Sequence, residues 1–233
     1  MMKTSIIIAA LLMSTLSFSQ VVQPSAPDTL ILKSGQLAEA EIVDREGGDL
    51  KYYLLGKEDE LRRSPIRMFK EIIEHSFSEQ KFARSDEGKI LYSEVVPVEG
   101  LTASNIFTLS KEYLADTYGN LDKVIELEDK ELGMILVEGL FTIWIEHLGT
   151  AFEYKVWHSL KLEMKDNRYR YQLYNFEVQF GLEDRVAAES MFSDEENLNK
   201  AQIKVKDKIL KSIHLFGNDI KKNIVARSKD DKW

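Results

Sequence analysis

The sequence predicts an α+β protein: a small N-terminal β-barrel-like module, then a strand, a helix, four strands in succession and a long C-terminal helix. Three observations carry this. Between Asp28 and His75, short runs rich in β-branched and aromatic residues alternate with Gly-containing polar turns, the pattern of a small barrel or tightly curled sheet. Between Lys89 and Phe180 the apolar period is two, then helical, then two again. From Leu198 to Ile224 apolar residues recur on one helical face.

Residues 1–19 read as an export signal. Lys3 supplies the positive start, Ile6 to Met13 is an apolar run, and Ser17 and Ser19 flank Phe18 before a cleavage point that makes Gln20 the expected mature start. The run is shorter than the about 20 apolar residues that cross a bilayer, so no membrane span is expected after cleavage. The signal points to a periplasmic or secreted protein. The chain has no cysteine, which excludes an acylated-cysteine lipoprotein, a thiol nucleophile, disulfides and thiolate metal sites. Its net charge of −8 becomes −9 once Lys3 is lost. Without a basic stripe, such a chain is a poor match to a phosphate backbone, and no nucleic-acid partner is expected.

Residues 20–27 form an extended leader with Pro24 and Pro27. In the module of residues 28–75, strands are expected at Thr29–Leu32, Leu37–Val43, Asp49–Leu55, Leu61–Ser64 and Lys70–His75. The turns between them are Lys33–Gln36, Asp44–Gly48 and Gly56–Asp59. So few residues form a marginal core and are expected to lean on a neighbour. Asp28-Thr29-Leu30-Ile31-Leu32-Lys33-Ser34-Gly35, followed by Glu41-Ile42-Val43, resembles a strand-turn-strand unit common in exported bacteroidete proteins, with Ala40 where that group usually has Gly. Residues 76–88 are polar and read as a linker.

The second domain is expected to span residues 89–227, with 228–233 a tail that includes Trp233. Ile90–Val98 is its first strand. Thr102 or Ser104 can cap the helix that follows, Ile106, Phe107, Tyr113 and Leu114 form its buried stripe, and Gly119 suits the left-handed position after its end. Val124–Leu127 and Gly133–Ile145 are strands, the latter apolar on both faces as though covered on both sides or at an interface. Val156, Leu160, Leu162 and Met164 alternate with Ser159, Lys161 and Glu163, marking a half-buried antiparallel strand. Asp166-Asn167 suits a two-residue hairpin, because both types tolerate positive φ. The returning strand alternates Tyr169, Tyr171, Leu173 and then shifts phase to Tyr174, Phe176, Val178, which predicts a β-bulge near Tyr174 or Asn175. Leu182–Met191 reads as a short helix. Ser193-Asp194-Glu195-Glu196 reads as a capping box for the last helix, whose apolar stripe stays in phase through Gly217.

Tyr92-Ser93-Glu94-Val95-Val96, Glu99-Gly100, Glu128-Asp129-Lys130, Gly133, Gly139, Tyr169-Arg170-Tyr171 and Asn175-Phe176 together resemble one exported bacteroidete family, domain of unknown function 4468 with a TATA-binding-protein-like fold, over about residues 89–180. Where members often carry Trp on the first helix this chain has Lys111-Glu112-Tyr113-Leu114, and its loop at His147–Phe152 is longer. The resemblance implies a curved antiparallel sheet with helices on one face and assigns no activity. A shared fold with a DNA-binding protein does not carry that protein's function.

No reaction motif is present: no G-x-S-x-G, phosphate-binding Gly loop or dinucleotide fingerprint. His75, His147, His158 and His214 lack ligand spacing; His158 reads as a core histidine and His214 as solvated. Glu126, Glu128, Asp129 and Glu131 lack calcium-loop spacing and read as a solvated hairpin tip. Lys204, Lys206, Lys208, Lys211, Lys221 and Lys222 read as the wet side of the last helix. No catalytic residue, metal site or cofactor is therefore assigned. Trp157, Tyr169, Tyr171 and Tyr174 are the groove candidates, although sheet packing accounts for the same residues. The expected function is a non-enzymatic binding or interaction module with an envelope or extracellular partner (protein, peptide or glycan). The alternatives are a carboxylate-dependent hydrolase with its site in the interdomain cleft, and a structural envelope subunit.

Overall fold

The computed structural model describes residues 27–230 other than Gly35, Gly47, Gly56, His75, Ser76, Ser78, Leu148 and Gly149. The export signal, the leader up to Ala26, His75 and Trp233 lie outside the described residues.

Five strands build the first sheet: β1 (Asp28–Leu32), β2 (Leu37–Glu46), β3 (Asp49–Leu54), β4 (Lys57–Pro65) and β5 (Phe69–Ile73), in the order β4-β3-β2-β1-β5. Neighbours are antiparallel throughout. A 3-10 turn, Ile66–Met68, carries the chain from one edge strand to the other. Three residues reach at most about 10 Å, so the sheet must curl until its edges approach. No described ladder joins β4 to β5, so the sheet is curled and open, not a closed barrel. Its core is Leu30, Ala40, Ile42, Leu50, Tyr52 and Phe69. Strands β2 and β4 overrun the turns expected at Asp44–Gly48 and Gly56–Asp59: Arg45 still faces Leu50 and Glu46 faces Asp49 in register. Ladders are built from backbone groups, and charged composition alone does not end them.

The second sheet contains β6 (Leu91–Pro97), β7 (Ile125–Asp129), β8 (Met134–His147), β9 (Thr150–Lys165), β10 (Arg168–Phe180) and β11 (Val186–Ala187). It is antiparallel and curved, ordered β11-β10-β9-β8-β7, with β6 also on β10. The bulge falls where the phase shift predicts it. Tyr174 opposes Ser159 and Glu177 opposes Trp157, so two residues of β10 face one of β9, and Asn175 sits at φ 53°. This bulge divides the edge of β10: β6 pairs before it and β11 after it. At the β9–β10 hairpin only Asn167 has positive φ. Asp166 instead uses its carboxylate to accept the Ala103 N–H (2.8 Å), and Asn167 Oδ1 accepts that of Gly100 (2.8 Å).

Helix α1 (Ala103–Tyr118) is capped by Thr102, whose hydroxyl accepts the Asn105 N–H, and ends at Gly119 with φ 67°. The short helix expected over Leu182–Met191 shrinks to α2 (Ala188–Met191), because Val186–Ala187 is taken up as strand β11. Helix α3 runs unbroken from Lys200 to Asp230. Its capping box is Asn199 and Gln202, not Ser193 and Glu196. Asn199 Oδ1 accepts from Ala201 and Gln202 N–H, and Gln202 Oε1 accepts from Asn199 N–H. Both stretches fit the capping pattern, but the carboxylate of Glu196 accepts from Lys81 Nζ (3.0 Å) instead of reaching back to the Ser193 N–H.

Helices α1 and α3 pack together on one face of the large sheet. The core between them holds Ile106, Leu114, Val137, Leu160, Leu173, Phe176, Ile209 and Ile220. Phe77 and Phe82, from the polar stretch before β6, are buried in it too. Gly217 lets α3 pass close to β10: a Cβ there would lie 2.8 Å from the Tyr171 hydroxyl. Strand β8 is not covered on both faces as its apolar run suggests. Ile135, Val137, Ile143 and Ile145 are buried, whereas Leu140 and Trp144 are 38% and 55% exposed.

Candidate functional site

The outer side of α3 carries Asp207, Lys208, Lys211, His214, Asn218 and Lys222 at helical spacing, and the first sheet sits against it through polar contacts. Lys211 Nζ reaches Glu74 at 3.2 Å and Asp28 at 3.5 Å. Glu74 is also paired with Arg45. Glu41, on β2, meets His214 Nε2 at 3.0 Å and accepts from Asn218 Nδ2 at 3.2 Å. His214 is therefore a half-buried interface residue, not a solvated one. The lysines are not simply a wet side either: Lys206 is buried and donates to the Gln80 carbonyl at 2.9 Å.

Side chains that meet only at their tips leave space between the backbones. Two clefts flank this contact, of about 710 Å³ and about 850 Å³. Both touch Val43, Thr142, Ser212 and Leu215, which form the saddle between them. The smaller is charged, with Arg45, Glu74, Lys204 and Lys208 along it and Trp144 at its side. The larger is mostly apolar, lined by Leu140, Phe141, Phe216 and Val225, with Tyr53 and Lys222 among its polar groups.

The electrostatics of the clefts are those of paired ions. Burial alone would raise the Glu41 carboxyl, but the hydrogen bond and charge of His214, the Asn218 amide and the Lys211 charge outweigh it and hold Glu41 below the ordinary value. Glu74 is likewise held low: Lys211, Lys208 and Arg45 overcome its burial. Both shifts run opposite to what a general acid needs. Burial, with the charges of Asp219 and Glu41, pushes the Tyr53 phenol up.

Lys222 differs from these pairs. Its Nζ is buried with no hydrogen-bond partner and stands 3.9 Å from the centre of the Tyr53 ring. A cation over an aromatic face recovers about 0.5–2 kcal/mol, while a buried donor without an acceptor costs about 1–3 kcal/mol, and more when charged. The ring alone leaves this ammonium under-compensated.

The four aromatic candidates are not brought together. Tyr169 and Tyr171 are buried on the helix side, donating hydrogen bonds to the Ile220 carbonyl (3.3 Å) and to Glu94 (2.8 Å). Trp157 and Tyr174 are half-buried and have the opposite parity across the bulge. The Arg185 guanidinium lies over Trp157, 3.7 Å from its ring centre. Sequence reasoning missed Glu41, Tyr53 and Lys222. The one available signal was the second, polar stripe of α3, which keeps phase as strictly as the apolar stripe. Among the described residues, no group of three or more His, Asp or Glu could hold a metal ion, and no helix is long and apolar enough to cross a membrane.

Residues 92–179 match the family described as Domain of unknown function (DUF4468) with TBP-like fold, the one the motifs resemble. Two solved structures are similar. A DUF4468 family protein from Bacteroides ovatus is 17% identical, with a TM-score of 0.52 over 60% of this chain and 88% of that one. A TBP-like protein from Parabacteroides distasonis is also 17% identical, with a TM-score of 0.49 over 63% and 96%. At such identity the first likeness shows the fold alone. No curated protein matches.

Proposed function

We propose that this chain, whose residues 92–179 form a DUF4468 domain with TBP-like fold, is an exported, non-enzymatic binding module of the periplasm or cell envelope. Its binding site is the cleft along the outer side of α3. The observation that carries this reading is the larger cleft itself: about 850 Å³, with a mostly apolar surface between polar side chains that include Glu41, Asn218, Asp219 and Lys222, the size of a ligand site. The apolar run at Ile6–Met13 supports export. A hydrolase working through the cleft carboxylates is disfavoured by the direction in which Glu41 and Glu74 are shifted.

The test compares the native chain with Ser212→Trp, a bulky substitution at the saddle between the clefts. Each protein is isolated from the periplasm under native conditions, and its bound components are identified by native mass spectrometry. A component carried by the native chain and missing from Ser212→Trp is the expected result. A native chain that carries nothing, or the same component on both proteins, would remove the cleft as the binding site.

A further inference from the structure

We infer that the larger cleft takes a single-chain amphiphile with one carboxylate, an acyl chain of the fatty-acid type, its headgroup on Lys222 and its tail along Leu140, Phe141, Phe216 and Val225. This rests on the cleft being the binding site proposed above and names the chemistry it accepts.

Hydrogen-bond accounting around the cleft singles out one cation. Lys221, at its edge, is paired with Glu94 at 3.0 Å. Glu41 is engaged by His214 and Asn218. Asp219 accepts the Tyr113 hydroxyl at 2.9 Å and the Asn223 amide at 2.9 Å. Lys222 alone among these has no acceptor, only the Tyr53 ring, which covers one side of its ammonium. A carboxylate in the cleft, met by the Lys222 side chain as it turns out from the Tyr53 ring, would supply the missing acceptor and form a charge-assisted bond. With the carboxylates of Glu41 and Asp219 also lining the cleft, Lys222 admits one negative charge and disfavours two.

The rest of the lining decides between an acyl chain and a peptide. A peptide needs partners for its own backbone N–H and C=O groups. Most of the polar side chains that could provide them are engaged: the Ser212 hydroxyl donates to the Lys208 carbonyl at 2.9 Å, and Asn218 is held by Glu41 and His214, which leaves the Thr142 and Tyr53 hydroxyls, too few for a run of peptide groups. Leu140, Phe141, Leu215, Phe216 and Val225 offer only apolar contact. A hydrocarbon chain asks for nothing else.

The experiment titrates the mature chain with dodecanoate, with dodecanol, and with an apolar peptide bearing a free C-terminal carboxylate, by calorimetry below the micellar range. The same titrations follow on Lys222→Met, which keeps the apolar stem, and Lys222→Arg, which keeps the charge. Dodecanoate is expected to bind the native chain and Lys222→Arg, and to lose about ten- to a hundredfold in affinity on Lys222→Met. The weaker affinity of dodecanol should not change between the three proteins. Lys222→Met is expected to melt at or above the native temperature, because it removes an under-compensated buried charge.

Equal dodecanoate affinity on Lys222→Met would overturn the headgroup position. A peptide bound more tightly than dodecanoate would overturn the acyl chain while leaving the cleft as the site. A lower melting temperature for Lys222→Met would make Lys222 a structural cation and overturn the accounting. Absence of binding by both dodecanoate and dodecanol would overturn the inference alone, since the cleft reading is judged separately by what the native and Ser212→Trp chains carry from the periplasm.

Discussion

Toward the large sheet α3 presents Val205, Ile209, Ile213, Ile220 and Ile224, none more than 3% exposed. Toward the small sheet it presents Lys211, His214, Asn218 and Lys222, which meet Asp28, Glu74, Glu41 and Tyr53 one by one. The inner contact is close-packed hydrocarbon and draws its stability from buried area. The outer contact is a set of directional pairs, each weak in water and sensitive to salt and pH. Clefts form only where backbones are held apart, and here they lie on the polar side. The same helix therefore makes a close-packed contact with one face and a polar, cleft-bearing contact with the other.

The largest expected effect separates the two faces directly. Ile209→Ala removes fully buried hydrocarbon and should cost about 2–5 kcal/mol, read as a lower urea midpoint at unchanged slope. Lys208→Ala, one residue earlier and 42% exposed along its side chain, should cost no more than about 1 kcal/mol. Equal losses in the two variants would mean that the outer contact is as integral to the core as the inner one.

Acid should distinguish the faces by where each responds. His158 is buried between Phe141 and Phe176, and burial lowers its pKa from 6.5 to about 4. Between those values the unfolded chain takes up a proton that the folded chain refuses, so stability falls as pH drops from 6.5 to about 4. The loss approaches about 3 kcal/mol and then levels off. Glu41 and Glu74, held below their ordinary 4.5, contribute stability that is intact above that pH and lost only as pH falls through their folded values. Urea titrations across the pH range should show both stages, and His158→Leu should abolish the first while keeping the second. A variant that retains the upper slope would assign it to another group.

The inner face was legible in the sequence, and the outer face was not. Apolar periodicity reports burial against hydrocarbon, so Ile209, Ile213 and Ile220 announced the core. The shift from Leu173 to Tyr174 announced the bulge, and Thr102 and Gly119 announced the ends of α1. Polar residues carry no such asymmetry. A lysine facing water and one facing a carboxylate are written identically, which is why His214 and Lys211 read as solvated. The capping pattern failed for a related reason: Ser193–Glu196 and Asn199–Gln202 both fit it, and Glu196 is taken up by Lys81, more than 100 positions away. Tyr53 and Lys222 belong to elements far apart in the chain, and only the docking of the small sheet on α3 brings them together.

The most local expected effect tests the comparison most finely. Lys211 is the densest link of the outer contact, with its side chain 12% exposed between Asp28 and Glu74. In Lys211→Met, Glu74 keeps Arg45 and Lys208, and Asp28 keeps the Ile42 N–H at 2.9 Å. The cost to global unfolding should therefore stay below the about 3–5 kcal/mol of a buried pair left with no other partner. Hydrogen exchange resolves what that figure hides, because regions open with their own free energies. Amides of β1 and β2 should exchange faster in the variant, and those of β9 and β10 should not. Raised salt should reproduce the pattern in the native chain by screening the same pairs. If β9 and β10 also exchange faster, the two faces of α3 open together, and the polar contact is part of one cooperative core rather than an adjustable joint laid over it.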